Sequence, residues 1–159
     1  MIGEKTAALL MLLMLAAPAS AQNAPPAGAY PAKVMRVIDA DTLRARVKIW
    51  PAIEILATVR LRGVNTPEKG YRAKCEEERR AGERSTGFVR DMLPKGAKIY
   101  LRRVRLGKYA GRVLADVYLG DGRKLADILI ARGMGRPYHG GRRKSWCWPK
   151  SVGKESRLK

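Results

Sequence analysis

From Lys33 onward, apolar positions alternate with polar ones as a half-buried strand requires. Val34, Val37 and Ile38 form one such run, and Leu43, Ala45 and Val47, interleaved with Arg44, Arg46 and Lys48, form the next. The pattern predicts two strands with Asp39-Ala40-Asp41 in the turn between them. A third strand is predicted from Ile53 to Val64. It ends at Asn65-Thr66-Pro67, because Pro67 has no N–H to give a sheet ladder. From Glu76 to Leu93 the period changes to that of a helix, with Phe88, Val89, Met92 and Leu93 on one face and charges on the others. Pro94-Lys95-Gly96 stops it. Ile99–Leu106 and Val113–Leu119 alternate again and predict two strands joined by a hairpin through Gly107-Lys108-Tyr109-Ala110-Gly111. After the turn Gly120-Asp121-Gly122, Leu125–Ala131 predicts a short helix ended by Gly133.

Three strands, a helix, two strands and a helix make an α+β domain with a largely antiparallel sheet. Five strands suit a small OB-type β-barrel, with two or three helices around it. There is no internal repeat, so one compact domain is expected over residues 33–148. Residues 22–32, rich in Pro, Ala and Gly, read as a flexible linker, and residues 149–159 as a polar disordered tail.

The first 21 residues change the picture of where the domain acts. Leu9–Ala17 is an apolar run too short to span a bilayer comfortably, and Ala19-Ser20-Ala21 is a small-x-small cleavage pattern. A cleaved signal peptide is therefore expected, with a mature chain from Gln22 and export to the periplasm or the medium. No Cys follows the run to take a lipid anchor, and no stable membrane anchor is expected after cleavage. Removal of the signal leaves about 138 residues, the size of one domain. The charge is unusual for that size: 33 Lys and Arg against 14 Asp and Glu, a formal net charge of +19. A small domain so basic implies an anionic partner, either nucleic acid or an anionic envelope surface.

Two cysteines are present, Cys75 and Cys147. In an oxidising compartment an even pair reads as a disulfide. The rival reading is a metal site, but two Cys and the lone His139 make a poor zinc set.

Three short segments carry candidate chemistry, each weak alone. Asp39 and Asp41, one residue apart on a turn, offer carboxylates to a hard cation, although such pairs ordinarily hydrogen-bond their own backbone. Arg60 and Arg62 point the same way from a strand, with Glu68 just past its end. Arg112 follows a glycine-containing turn and presents a planar fork suited to a phosphate.

Taken together, V-I-D-x-D-T, R-L-x-G-V-x-T-P-E and K-Y-x-G-R-V-L-A-D-V resemble the staphylococcal nuclease (thermonuclease) family over roughly residues 34–137. The resemblance implies an OB-type barrel that cleaves DNA and RNA with calcium and leaves 3′-phosphorylated products. It implies that Glu68 activates the attacking water and that Arg60 and Arg112 hold the phosphate. Asp41 would ligate Ca2+, with Asp39 beside the ion, the Thr66 carbonyl as a further oxygen, and the Asn65 amide oxygen where the family usually has an Asp. Lys108 and Tyr109 would contact nucleic acid. The chain also departs from the family in carrying Ala110-Gly111 where a single Gly is more usual before the Arg. A monomer acting on DNA and/or RNA is the expected form. The competing expectation is a non-catalytic OB-type module that binds nucleic acid or envelope polyanions; it has no use for a Glu in a basic groove. His139 is expected at the surface, and Trp146 and Trp148 are expected to pack around the disulfide.

Overall fold

A computed structural model of the chain describes residues 26–107 and 111–148. The described residues hold seven strands, β1 (Tyr30–Asp39), β2 (Thr42–Trp50), β3 (Ile53–Leu61), β4 (Gly63–Asn65), β5 (Lys98–Leu106), β6 (Arg112–Leu119) and β7 (Arg136–Tyr138). The two helices are α1 (Glu76–Met92) and α2 (Leu125–Ala131), with a single 3-10 turn at Gly70–Arg72. Five of the strands close into a barrel in the order β1-β2-β3-β6-β5, and β4 pairs with β7 in a separate ribbon. This is the α+β, five-stranded OB-type architecture that the alternation predicts.

The alternation fills the barrel. Val34, Leu43, Ala45, Val59, Ile99, Leu101, Ala115 and Val117 all turn inward and are buried. Burying a Val or Leu side chain fully stabilises the fold by about 1.5–3 kcal/mol relative to exposure. Helix α1 packs against the barrel core, with Val89 buried and Phe88 and Met92 partly buried against it. Glu76, Glu77 and Glu78 in its first turn complement the positive end of the helix dipole. Leu93 caps it by donating its N–H to the Val89 carbonyl at 2.8 Å, and Gly96 turns the chain back with φ +90°. From there the Gly96 N–H donates to the Val34 carbonyl at 2.7 Å.

Four features differ from the sequence expectation. β1 begins at Tyr30 rather than Lys33, because Tyr30, Pro31 and Ala32 pair with Leu101, Tyr100 and Ile99 of β5. The predicted strand from Ile53 to Val64 is two strands. Gly63, at φ +82°, turns the chain out of the barrel, and Val64 and Asn65 then pair with Pro137 and Arg136. β7 itself is only three residues long and contains a proline, so no periodicity announces it. The barrel also closes through a parallel seam, with Val59 opposite Val113 and Arg60 opposite Leu114 in an otherwise antiparallel sheet. The signal segment, residues 22–25 of the linker and the tail from residue 149 lie outside the described residues, as do Lys108 and Tyr109.

Candidate active site

The β1–β2 turn puts a buried carboxylate at the floor of the site. Asp41 is 2% exposed. Its Oδ2 accepts the Thr66 N–H at 3.0 Å, and its Oδ1 accepts the Thr42 hydroxyl at 3.2 Å and an ion pair from Arg60 Nη1. The Asp41 carbonyl also accepts the Leu61 N–H at 2.8 Å, which fixes the turn to the end of β3. Asp39 behaves partly as a turn residue, its Oδ1 accepting the Asp41 N–H at 3.3 Å. The two elements that carry Asp41 and Arg60 are thus laced together by backbone and side chain alike.

Arg60 is held by one arm only. Its Nη1 rests on Asp41, while its buried Nη2 finds no hydrogen-bond partner among the described residues. A buried donor left unpaired is costly, and a bound anion would satisfy it. Burial lowers the Arg60 pKa to about 10, with the charges of Arg143 and Arg112 acting the same way and Asp39 and Glu68 opposing them. The group stays cationic at neutral pH, and these interactions show which charges surround it. Arg112 belongs to that set through the parallel seam. Thr58 pairs with Arg112 and Arg60 with Leu114, so Arg60 and Arg112 stand diagonally on one face of neighbouring strands. The Arg112 carbonyl accepts the Gly107 N–H at 2.7 Å, and a Cβ at Gly107 would lie 2.7 Å from that oxygen.

Glu68 follows Pro67 on the segment that leads from the ribbon to α1. Its position is set by close packing against the helix. A Cβ at Gly82 would come within 2.3 Å of the Glu68 carbonyl oxygen and 2.9 Å of that of Pro67, so only glycine lets α1 lie this close. The buried Glu78 holds the same segment by accepting the N–H groups of Lys74 at 2.8 Å and Glu68 at 3.4 Å. The Glu68 side chain is in turn met by Arg143 Nη1 at 2.8 Å. Beside this pair lies a cleft of about 620 Å³ whose lining includes Asn65, Thr66, Glu68, Arg72, Lys74, Arg142, Arg143 and Lys144. A second cleft, of about 400 Å³, has Asp39, Glu68 and Lys69 in its wall.

Asp39, Asp41, Asn65 and Thr66 supply oxygen donors only, the set a hard divalent cation prefers. Asn65 is buried and its Oδ1 has no partner among the described residues, so an oxygen is left for such an ion. With an amide in place of a carboxylate, that oxygen carries no full charge. The donor types suit a hard cation such as calcium, with one negative charge fewer than an Asp would give. Among the described residues the one tight cluster of three thiol, imidazole or carboxylate groups is Cys75, Glu78 and Cys147. It is no metal site, because both sulfurs are joined in the Cys75–Cys147 disulfide.

Sequence reasoning missed Arg143, Gly82 and Glu78. The usable signal was the disulfide itself: Cys75 lies seven residues after Glu68 and Cys147 four after Arg143. Of the two tryptophans flanking Cys147, Trp148 differs from expectation. Trp146 stacks under the Arg136 guanidinium at 3.8 Å, and Trp148 is 82% exposed instead of packing on the sulfurs. His139 lies at the surface as expected.

Comparison with curated proteins returned no match. Among protein families, the one described as "Staphylococcal nuclease homologue" matches residues 58–146. That span begins inside β3, runs past the motif ending at Val117 and β7, and reaches Trp146, so it takes in Arg60, Glu68, Arg112 and Arg143. With this barrel and this match, the chain belongs to the staphylococcal nuclease homologue family.

Proposed function

We propose that the protein is an exported nuclease that hydrolyses phosphodiester bonds of DNA and/or RNA by metal-assisted water attack, giving 3′-phosphorylated products. The observation that carries this reading is the half-engaged Arg60, one arm fixed on buried Asp41 and the other buried and unpaired, with Glu68 and Arg112 among the charges around it. Simple polyanion binding has no use for a carboxylate in that place, and the general basicity of the surface would serve it without one.

In this mechanism Glu68 accepts a proton from the water that attacks phosphorus, a contribution typically worth about 10²–10⁴-fold. Arg60 and Arg112 bind the equatorial phosphoryl oxygens, where charge grows in the transition state. Arginine suits the task because its planar fork grips two oxygens and remains protonated. The bond from phosphorus to the 5′-oxygen breaks, leaving the phosphate on the 3′ side. Asp39, Asp41, Asn65 Oδ1 and the Thr66 carbonyl would hold Ca2+, which when bound neutralises charge on the phosphate. Lys108 and Tyr109 are assigned to contact the strand. Export to the periplasm or the medium accords with the apolar N-terminal run and with the disulfide, a bond that persists in oxidising compartments.

The test is digestion of plasmid DNA and of RNA with calcium, magnesium, manganese or chelator, with the product ends determined. Calcium-dependent cleavage leaving 3′-phosphates is expected. Glu68→Ala and Arg60→Ala should each lose about 10²-fold or more in rate while keeping the fold by circular dichroism. Steeply salt-dependent binding with no turnover under any ion would instead identify a binding module.

A further inference from the structure

Residues 136–148 form a strap in which no residue is fully buried, yet it is fixed at several independent points. The Cys75–Cys147 disulfide ties its end to the residue before α1. Arg136 grips it from within, donating from Nη1 to the Ser145 carbonyl at 2.9 Å and stacking on the Trp146 ring at 3.8 Å. The Tyr138 hydroxyl donates to the Gly141 carbonyl at 2.8 Å, and Gly140 and Gly141, at φ +114° and +84°, allow the tight bend before Arg142. The outcome of this scaffolding is that Arg143 Nη1 meets Glu68 Oε1 at 2.8 Å.

An ion pair whose side chains are 49% and 29% exposed adds little to stability. A strap this constrained is therefore not explained by the strength of that pair. We propose that Arg143 is a positioning residue for Glu68, delivered to it by a strap that the Cys75–Cys147 disulfide locks in place. The inference rests on Glu68 being the water-activating carboxylate. The geometry forms a closed bracket. Glu78 accepts the Glu68 N–H, Cys75 lies three residues before Glu78, Cys75 is bonded to Cys147, and the strap returns from Cys147 to Arg143 and so to the Glu68 carboxylate. Glu68 is thereby held at both backbone and side chain. A single arginine arm on Oε1 leaves Oε2 for the water. Arg143 also adds its charge beside Arg60, so the same residue deepens the cationic surround of the phosphate site. Losing the tether releases Arg143 even though Arg143 itself is intact.

The experiment compares DNA cleavage by the full chain, Arg143→Lys, Arg143→Ala, the Cys75→Ser/Cys147→Ser pair, and that pair combined with Arg143→Ala. Values of kcat and KM are read separately, together with thermal melting and arginine side-chain 15N spectra. Arg143→Ala should lower kcat by about ten- to hundredfold, the scale of a misplaced catalytic group, with KM within about threefold. Arg143→Lys should recover most of the loss, since a cation returns to the same place. The paired serine variant should lose kcat to a similar degree, and adding Arg143→Ala to it should cost no more. The Arg143 side-chain N–H signal should be protected in the wild type and lose that protection in Glu68→Ala and in the paired serine variant. The proposal is overturned by an unchanged kcat in Arg143→Ala, by a loss in KM alone, by additive losses, or by an Arg143 signal insensitive to the disulfide. A wild type that cleaves nothing overturns the nuclease reading and this inference with it. A wild type that cleaves while Arg143→Ala matches it overturns this inference alone.

Discussion

In β2 every second residue turns inward, so Leu43, Ala45 and Val47 are buried while Arg44, Arg46 and Lys48 face water. In the strap between Arg136 and Trp148 the residues are exposed or at most half-buried. The barrel is thus held by area removed from water, a diffuse force that tolerates the loss of any one contact. The strap is held by points: one disulfide, one stacked arginine, a few hydrogen bonds and a three-residue ribbon. Both regions converge on Glu68. From the barrel, Asp39 shares a cleft wall with it and Arg60 feels its charge, and from the strap Arg143 pairs with it directly. A site assembled this way has a rigid half and a half that can be detached by breaking one covalent bond.

The sharpest way to break that contrast is to remove the bond. Cys75→Ser/Cys147→Ser opens a link between residues 72 apart, and the chain-entropy model puts its loss at about 4 kcal/mol. Hydrogen exchange should show the strap amides opening first while amides in β2 and β3 remain protected relative to them. Equal loss in both regions would mean that strap and barrel are one cooperative unit. The complementary change strikes the barrel. Leu43→Ala, at a side chain 1% exposed, should cost about 3 kcal/mol in denaturant melts and leave the Trp146 environment unchanged. At the junction, Gly82→Ala forces a Cβ against the Glu68 carbonyl, and about 1–3 kcal/mol of strain is expected with a fall in kcat. Melts and kinetics that match wild type would show that α1 does not set the place of Glu68. The smallest effect belongs to Trp148→Ala, which should stay within about 0.5 kcal/mol of wild type because the ring is exposed. A larger change would reveal packing of Trp148 on the disulfide after all.

The same contrast explains what the sequence disclosed. The barrel was legible because period-2 alternation is the direct image of a two-faced strand, and both helices because their apolar residues recur at helical spacing. The break at Gly63 was not legible, since Val59, Leu61 and Val64 stay apolar across a point where the chain leaves one sheet for another. Nor was the parallel seam, which depends on how strands distant in sequence meet. In the site, Asp39, Asp41, Arg60, Glu68 and Arg112 stood out through motif order and spacing, although each alone was an ordinary surface charge. Arg143 was hidden inside the run Arg142-Arg143-Lys144, where nothing local separates it from its neighbours. Gly82 was hidden for another reason. Its meaning lies in an atom it lacks, and that shows only when the Glu68 backbone is brought against it.

The parallel seam between β3 and β6 has a consequence for when the chain acquires its chemistry. Strands joined by a hairpin meet early, because closing a short loop costs little entropy, whereas β3 and β6 are separated by α1 and β5 and must find each other late. Arg60 and Arg112 stand diagonally on one face only once that seam has zipped. A chain still extended therefore carries both arginines but not the arrangement that brings them together. Closure of the barrel, and not proximity along the sequence, makes Arg60 and Arg112 neighbours.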